Sequence, residues 1–455
     1  MDLFGTAGIR GSVTERVTPG LVLDVARALG AHARDAGDRE FVVGRDGRVT
    51  GPGLAAAAEA GLESAGADVR RVGQVPTPAL AFASRGRRGV MLTASHNPPT
   101  DNGVKAFVDG VEYGETAETA VEEAVAAGGA PADWDEWGDG ADEDVLDAYR
   151  AAVVDYAGDF GVDPEGLRVA VDCGNGMSAV ATPQVLRELG TDVVTLNATV
   201  DGHFPGRESK PTPESLADLR EFVREGGAEL GIGHDGDADR IVVVDGDGEV
   251  VHEDTVLAIL AERYVRTSDA DDPVVVTTPN ASGRIDERVE AAGGRVERVA
   301  LGYLHDGVAA ARAGGGDVVF AAEPWKHVHT DFGDWIDAVV SAAVLTRLAA
   351  DEGLRGLRDP ITERPYRKVS VDCPDDDKAA AMERLGETLP AAFPTAEVDA
   401  EYGVRLTFPD ASWTLVRPSG TEPYVRVYAE HDDVDPFVEE VAGVVESAVE
   451  AVTDE

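Results

Sequence analysis

Short β-branched runs alternate with segments whose apolar residues recur at helical spacing through most of the chain. EFVVG (40–44) precedes the helix-like LAAAAEAGLESAG, and GLRVAVDCGNG (166–176) and DPVVVTTPN begin similar units further along. This alternation is typical of a mostly parallel sheet with helices on both faces. From about residue 369 the pattern changes, because four strand-like runs follow one another with few helical segments between them.

These changes of pattern predict an α/β protein of four domains. Residues 1–150, 151–252 and 253–362 are expected to form three doubly wound α/β domains, and residues 368–455 a smaller C-terminal α+β domain. The Pro- and Arg-rich segment 358–368 is interpreted as a linker. Four domains agree with a length of 455 residues, which exceeds what one hydrophobic core supports.

The composition favours a soluble cytoplasmic protein. Apolar residues make up 43% of the chain, but no run approaches the ~18 apolar residues of a membrane span. The N-terminal MDLFGTAGIRG lacks the basic and apolar regions of a signal peptide. Cys173 and Cys373 are too few for a disulfide framework and have no zinc spacing, so both are interpreted as buried small side chains.

The charge is strongly negative, with 86 acidic and 40 basic residues and a net charge of −46. Such a surface repels nucleic acid and anionic lipid, so neither is expected as a partner. Only five of the basic residues are lysines. Acidic residues spread through folded segments suggest a halophilic protein, and the few lysines that remain are then expected to have specific roles.

The segment TASHNPPTDNGVK (93–105) follows the apolar run GVML. It places Ser95 and His96 at the end of a predicted strand, and Asn and Pro residues follow them directly. One interpretation is a tight turn alone. The other is a serine presented for chemistry.

The segment HDGDADR (234–240) places Asp235, Asp237 and Asp239 at alternate positions after a strand. Three carboxylates this close need a cation, and hard oxygen ligands suit Mg²⁺. A calcium-binding EF-hand is excluded, because Arg240 and Gly246 occupy the positions that require Gly and Glu. The alternative is an acidic turn on an acidic protein.

The segment RPSGTEPYVR (417–426) offers hydroxyl and backbone N–H donors between two arginines. Such a loop is suited to a phosphate group, although a solvated turn is the alternative. The N-terminal FGTAGIRG lacks the dinucleotide-binding spacing, and its Arg10 is a weaker candidate anion contact. A serine loop, a carboxylate loop and a phosphate loop in separate domains together indicate phosphoryl chemistry in a central cleft between domains.

The chain resembles the α-D-phosphohexomutases nearly end to end. It has four of the family's motifs in the family's order, FGTAGIRG, TASHNP, DGDADR and RPSGTEPYVRVYAE. Between them lie three further matching segments, VGRDGR, DCGNG and DGHFPG. The resemblance implies a phosphoserine at Ser95, with one Mg²⁺ bound by that residue and the three aspartates. It implies transfer of phosphate between the 1- and 6-positions of a sugar monophosphate through a sugar 1,6-bisphosphate. The implied catalytic residues are Ser95, His96, Lys105, Arg10 and Arg240, with His96 and Lys105 as the alternatives for proton transfer. The implied phosphate-binding residues are Arg417, Ser419, Gly420, Thr421 and Arg426.

The sugar-specificity loop departs from the family pattern. The family often has Glu-x-Ser-Gly-His, and this chain has Glu323-Pro-Trp-Lys326-His327. Glu323, Lys326 and His327 are therefore candidate substrate contacts, and Lys326 either reaches a substrate oxygen or points outward. A second substrate loop is expected around Gly302, where no basic residue follows directly.

The departure leaves the substrate open. A phosphoglucomutase or phosphomannomutase activity comes first, with phosphoglucosamine mutase and phosphopentomutase as alternatives. Two alternatives are not phosphomutases at all, namely a non-catalytic sugar-phosphate sensor and a phosphatase. Small sugar phosphates are the expected partners, and the sequence does not predict the oligomeric state.

Transfer from molar KCl into low salt is expected to unfold the protein. At molar salt the Debye length is about 3 Å, which screens the repulsion among 46 net negative charges. Circular dichroism across a KCl series measures the transition. Full stability in low salt would contradict the halophilic interpretation.

Overall fold

The computed structural model describes residues 3–5, 8–419 and 422–453. The chain divides into two compact units. The first unit comprises Met1–Val256 and Val319–Arg358, and the second comprises Leu257–Val318 and Asp359–Glu455. The α/β class is confirmed, and the four domain boundaries stay predictions.

The N-terminal part of the first unit contains a mixed sheet in the order β1-β5-β4-β2-β3-β7, with β6 paired to β5. Its strands are β1 (Ile9–Ser12), β2 (Glu40–Arg45), β3 (Asp68–Gln74), β4 (Arg88–Leu92), β5 (Asp101–Val108), β6 (Val111–Glu112) and β7 (Gly140–Asp142). Its helices are α1 (Pro19–Asp35), α2 (Gly51–Ser64), α3 (Thr77–Ala83), α4 (Glu115–Ala127) and α5 (Leu146–Ala157).

In this sheet β2 is parallel to β3 and β4, whereas β5 is antiparallel to β4 and β1. Strand β4 is buried at all five positions, and its last four residues, GVML, form the apolar run expected inside a layered sheet. Helix α1 begins where the Thr18 hydroxyl accepts a hydrogen bond from the Leu21 amide, and Pro19 needs no donor there. The antiparallel β4–β5 connection is the segment that carries Ser95.

A second sheet of the first unit has the order β11-β10-β8-β9. Its elements are β8 (Arg168–Asp172), α6 (Thr182–Glu188), β9 (Asp192–Leu196), α7 (Ala217–Phe222), β10 (Leu230–His234) and β11 (Ile241–Val244). Strands β8, β9 and β10 are parallel, and β11 pairs antiparallel with β10. In the turn that follows β11, the Gly248 amide donates to the Asp245 carbonyl at 2.9 Å. The short β10–β11 connection contains the three aspartates.

The following segment continues the strand–helix alternation. Its elements are α8 (Glu253–Thr267), β12 (Pro273–Thr277), α9 (Gly283–Ala292), β13 (Arg295–Arg298), α10 (Leu304–Ala313), β14 (Asp317–Glu323), β15 (Lys326–Val328) and α11 (Ala338–Arg358). Strand β12 is parallel to β13, and β14 is antiparallel to β15. Helix α11 is buried along most of its length in the first unit.

The C-terminal part of the second unit is an antiparallel sheet in the order β16-β20-β19-β18-β17, packed against two helices. Its elements are β16 (Tyr366–Asp372), α12 (Lys378–Ala392), β17 (Glu397–Asp399), β18 (Val404–Thr407), β19 (Trp413–Pro418), β20 (Tyr424–Glu430) and α13 (Val434–Thr453). This is the α+β arrangement that the change of pattern predicted.

Among the described residues, no helix combines the length and the apolar composition that crossing a bilayer requires.

A buried ion pair connects two segments of the second unit. Arg284 donates to Glu430 at 3.0 Å, and the Trp413 indole donates to the other carboxylate oxygen at 3.1 Å. The side chains of Arg284 and Glu430 are 1% and 0% exposed. Removal of either partner would leave the other charge buried and uncompensated.

Glu430→Ala is expected to lower the free energy of unfolding by about 3 kcal/mol or more, because Arg284 then lacks its carboxylate. Chemical denaturation at constant salt measures the loss. Asp192→Ala is the matched control, because it breaks the half-exposed Arg168–Asp192 pair at 2.6 Å and should change stability little. Equal effects of the two substitutions would contradict the prediction.

Candidate active site

Ser95 lies in the connection between β4 and β5 and is fully buried. Its φ of +48° is left-handed, a region that serine rarely adopts. Its amide donates to the Thr93 hydroxyl at 2.9 Å, and that hydroxyl donates to Asp46 at 2.8 Å. The surrounding contacts therefore hold the serine in a strained, defined conformation.

Arg48 supplies most of those contacts. Its guanidinium is buried and donates at 2.6–2.9 Å to four backbone carbonyls, those of Ser95, Asn97 and Pro98 in the connection and that of Asp101 at the start of β5. Its Nε donates to Asp46 at 3.0 Å, which balances the charge. One planar guanidinium thus fixes the path of the chain from the serine to Asp101.

The three aspartates lie in the connection between β10 and β11, and all are fully buried. Each contributes a carboxylate oxygen to a group in which all oxygens lie within 4.8 Å of one another. A Cβ on Gly236 would lie 2.6 Å from the Ser95 carbonyl oxygen, so glycine is required for this close approach. The serine and carboxylate loops therefore form one site in the first unit.

The Ser95 hydroxyl donates to Asp235 at 2.6 Å and lies 3.3 Å from an oxygen of Asp239. Burial, together with repulsion from Asp239 and Asp237, raises the pKa of Asp235 well above its ordinary value. Burial also opposes ionisation of Asp239, but Lys105, Lys326 and nearby arginines outweigh it, and its pKa lies well below the ordinary value. The site thus concentrates negative charge and needs cations.

Two basic side chains supply charge next to the carboxylates. The Lys105 ammonium is buried, lies 3.0 Å from Asp239 and 4.0 Å from Glu112, and has a raised pKa because these carboxylates outweigh the effect of burial. The Arg240 guanidinium lies 3.8 Å from Asp239 and 4.0 Å from Asp235.

His96 and Arg10 are the two other predicted catalytic residues near the serine. The His96 ring nitrogen Nδ1 lies 3.4 Å from the Ser95 hydroxyl. Burial and the charges of Arg240 and Arg10 lower the pKa of His96 to about 3, so its ring is neutral. Arg10 lies on β1, beside Gly103 of β5.

The donor set fits Mg²⁺. One oxygen of Asp237 is buried and has no hydrogen-bond partner among the described residues, while its other oxygen accepts from Thr77 at 2.6 Å. Carboxylate and hydroxyl oxygens without Cys or His are the ligands that a hard cation prefers. Asp235, Asp237, Asp239 and Ser95 are the residues that would hold it.

The β14–β15 hairpin carries the divergent loop. The Lys326 ammonium lies 3.7 Å from Glu323, and both side chains are largely buried. His327 is 1% exposed, and its Nδ1 lies 2.9 Å from the Ser341 hydroxyl. The structure thus places His327 in the interior, and its role in substrate binding stays a prediction.

The predicted phosphate loop lies in the second unit. Arg417 and Arg426 are direct cross-strand neighbours on β19 and β20, an arrangement that repulsion disfavours unless an anion is bound. Each has a buried Nε without a hydrogen-bond partner in the described part of the chain, and the buried Ser419 hydroxyl also lacks one. Gly420 and Thr421 lie outside the described residues.

The other predicted substrate loop also lies in the second unit. Gly302 has a φ of +87° in the turn that precedes α10. Its predicted contact with substrate is not tested by this geometry and stays a prediction.

Three family descriptions match the chain. These are the phosphoglucomutase/phosphomannomutase alpha/beta/alpha domain I at residues 1–131, alpha/beta/alpha domain II at residues 148–248 and the C-terminal domain at residues 369–447. They contain, in turn, the serine loop, the carboxylate loop and the phosphate loop.

Relatives match over nearly their whole length. A phosphopentomutase of Thermococcus kodakarensis is 44% identical over 94% of each chain. A probable phosphoglucosamine mutase of Methanopyrus kandleri is 41% identical over 94% of this chain and 93% of its own. This chain belongs to the α-D-phosphohexomutase superfamily.

A solved structure supports the same assignment. A phosphoglucomutase/phosphomannomutase family protein of Burkholderia thailandensis has a TM-score of 0.86 at 28% identity, covering 99% of this chain and 98% of its own. The protein is an enzyme of the phosphomutase type, and the resemblance inferred from the four motifs is confirmed.

Sequence reasoning missed two groups that position the site. Arg48 was noted only as part of VGRDGR, although an Asp-x-Arg turn directly after a strand is a usable signal. Lys378 donates at 2.7 and 2.6 Å to two carbonyls within the phosphate loop, those of Ser419 and Glu422. The chain has only five lysines, and this scarcity is the sequence signal that could have pointed to a specific role for Lys378.

Arg48→Lys is expected to lower kcat by about a hundredfold, because one ammonium cannot hold four carbonyls and small displacements of a reacting group are costly. Steady-state kinetics measure kcat and KM separately at a temperature where the variant is folded. Arg88→Lys is the matched control, a buried arginine of the same sheet paired with Asp38 at 2.9 Å. Equal losses in both variants would show a general effect on stability instead.

Proposed function

We propose that this enzyme moves a phosphoryl group between the 1-position and the terminal hydroxyl of a sugar monophosphate, through a phosphoserine at Ser95 and a sugar bisphosphate. The observation that carries the proposal is the buried Ser95 hydroxyl, 2.6 Å from Asp235 and surrounded by three carboxylates and several cations. A structural turn would not need this concentration of charge.

The chain's own residues position and balance the phosphoryl group. The left-handed backbone and the Arg48 contacts hold the hydroxyl in place. Lys105 and Arg240 lie beside the carboxylates, where they offset the negative charge that a phosphate on Ser95 adds. When bound, Mg²⁺ would supply further charge to the phosphate oxygens.

His96 and Lys105 remain the alternatives for moving the sugar hydroxyl's proton. Lys105 already donates to Asp239 at 3.0 Å, which favours a role in neutralising charge. His96 has a ring nitrogen 3.4 Å from the Ser95 hydroxyl, and the geometry therefore favours it for proton transfer.

Arg417, Ser419 and Arg426 would bind the phosphate that is not reacting. Their buried, unpartnered donors and the cross-strand arginine pair support an anion at this loop. Gly420 and Thr421 are proposed to contribute on the strength of the sequence motif. A loop that binds the phosphate group and not the sugar ring would accept the sugar in both orientations.

The substrate has three candidate classes. The Thermococcus relative bears the name phosphopentomutase, which supports a pentose 1-phosphate. The Methanopyrus relative bears the name probable phosphoglucosamine mutase, which supports an amino sugar. A hexose phosphate, as in a phosphoglucomutase or phosphomannomutase, is the class that the sequence analysis placed first.

Ser95→Ala is expected to abolish turnover of every sugar phosphate, because the Thr93 hydroxyl of the same loop is buried and already donates to Asp46. The assay follows conversion of ribose, glucose, mannose and glucosamine 1-phosphates with Mg²⁺ and a trace of bisphosphate. Ser64→Ala is the matched control, since its buried hydroxyl only donates to Gly61 within α2. Phosphopeptide mapping after incubation with bisphosphate should find phosphate on Ser95.

Two outcomes would contradict the proposal. Turnover retained in Ser95→Ala would exclude the phosphoserine route. Absence of turnover and of phosphate on Ser95 in the unaltered enzyme would favour the non-catalytic sensor, whereas rapid release of inorganic phosphate would favour a phosphatase.

A further inference from the structure

One face of the C-terminal sheet concentrates positive charge beside the predicted phosphate loop. Side chains alternate between the two faces of a strand, so Arg426 and Tyr428 of β20 lie on the same face. The strand register places Arg417 of β19 opposite Arg426, and Lys368 of β16 opposite Tyr428. Val427, between them on β20, is buried in the apolar core on the other face. Arg417, Arg426, Lys368 and Tyr428 therefore form one basic patch.

Tyr428 connects the cations of the basic patch. Its side chain is 3% exposed, and its hydroxyl accepts a hydrogen bond from Arg417 at 3.1 Å. The Lys368 ammonium lies 5.3 Å from the centroid of its ring. Guanidinium and ammonium groups only donate hydrogen bonds. Among the described residues, nothing accepts the hydrogen of this hydroxyl, so it is available to a ligand.

The charge of the basic patch is not balanced by carboxylates. In the part of the chain that the structure describes, Arg417, Arg426 and Lys368 form no ion pair, although the protein has 86 acidic residues. Arg367 provides the contrast, because it precedes Lys368 on β16, faces the other way and pairs with Asp435 at 2.7 Å. An anion is therefore the missing partner of this patch.

The surroundings of the Tyr428 hydroxyl show the same positive field. Burial opposes its ionisation, but the charge of Arg417, a hydrogen bond with Arg426 and the charge of Lys368 outweigh burial. The pKa of Tyr428 consequently lies below its ordinary value. A field that favours a phenolate also stabilises an anion bound beside it.

We infer that Tyr428 and Lys368 are further ligands of the phosphate that is not reacting. The Tyr428 hydroxyl donates to a phosphate oxygen, and the Lys368 ammonium adds positive charge at the side of the patch that faces β16. The inference rests on the proposed mutase function and adds two residues beyond the loop 417–426. Arg417 already contacts the Tyr428 hydroxyl, so a phosphate bound by that guanidinium lies within reach of both. A phosphate monoester offers three acceptor oxygens, which suits a site with several donors.

The test measures binding of inorganic phosphate to the full-length enzyme by phosphorus-31 NMR at one KCl concentration. EDTA is present, because a divalent cation would recruit phosphate to Ser95. Four single variants are compared with the unaltered protein, namely Tyr428→Phe, Lys368→Met, Arg417→Met and Arg367→Met. The first two are also combined with Arg417→Met, which removes a guanidinium from the proposed site.

Tyr428→Phe keeps the ring and is expected to raise the Kd of phosphate about tenfold, because it removes a hydrogen bond to a charged group. Lys368→Met is expected to raise Kd about fivefold, and less at higher KCl, because the ammonium is exposed to screening. Arg367→Met is the matched control, since it removes the same charge from the other face of β16, and should change Kd less than twofold. Neither of the first two substitutions should weaken binding further in the Arg417→Met enzyme.

An unchanged Kd in Tyr428→Phe or in Lys368→Met would overturn the assignment of that residue. Equal weakening by Lys368→Met and Arg367→Met would show an effect of net charge alone and would also overturn it. Full effects that persist in the Arg417→Met enzyme, or no phosphate binding by the unaltered protein, would contradict the site itself. Failure of the mutase function would appear differently, as absence of turnover and of phosphate on Ser95 in an enzyme that still binds phosphate at this patch.

Discussion

The geometry of the site depends on three carboxylates buried within one short connection. Asp235, Asp237 and Asp239 are fully removed from solvent, and their oxygens lie within 4.8 Å of one another. Uncompensated, such a group would oppose folding, because each buried charge repels the others in a medium of low dielectric. The cations around it, and the Ser95 hydroxyl directed at Asp235, follow from that constraint. An enzyme that handles a doubly charged phosphate needs the same excess of balancing charge.

The second constraint is the shape of the serine loop. A left-handed serine costs free energy, and the structure keeps it by surrounding it with contacts from a distant segment. Arg48 lies near the end of β2, yet it holds three carbonyls of the β4–β5 connection and the first carbonyl of β5. Gly236 then allows the carboxylate loop to approach the same backbone. Positioning and chemistry are thus separate tasks, performed by different residues.

The few lysines of this chain occupy specific positions around the two predicted binding loops. Lys105 pairs with a carboxylate of the site, and Lys326 belongs to the adjacent hairpin. In the second unit, Lys378 ties the ends of the phosphate loop, and Lys368 lies 5.3 Å from the Tyr428 ring, against which Arg417 also packs. Arginine supplies the positive charge in other buried ion pairs, such as the Arg284–Glu430 pair that connects two segments of the second unit. The compact ammonium of Lys105 acts as a point charge beside one carboxylate, whereas the planar guanidinium of Arg48 binds four carbonyls at once.

The sequence by itself determined the fold class, the order of the motifs and the residue types of the site. Local pattern was sufficient, because strand and helix periods and the spacing of Ser95, Asp235, Asp237 and Asp239 are properties of short segments. Only the tertiary structure decided that Arg48 supports the serine, that His327 is buried against Ser341 and that the partly buried Trp325 packs against an apolar cluster of the second sheet. Those outcomes depend on packing between segments far apart in the chain, which no local spacing encodes.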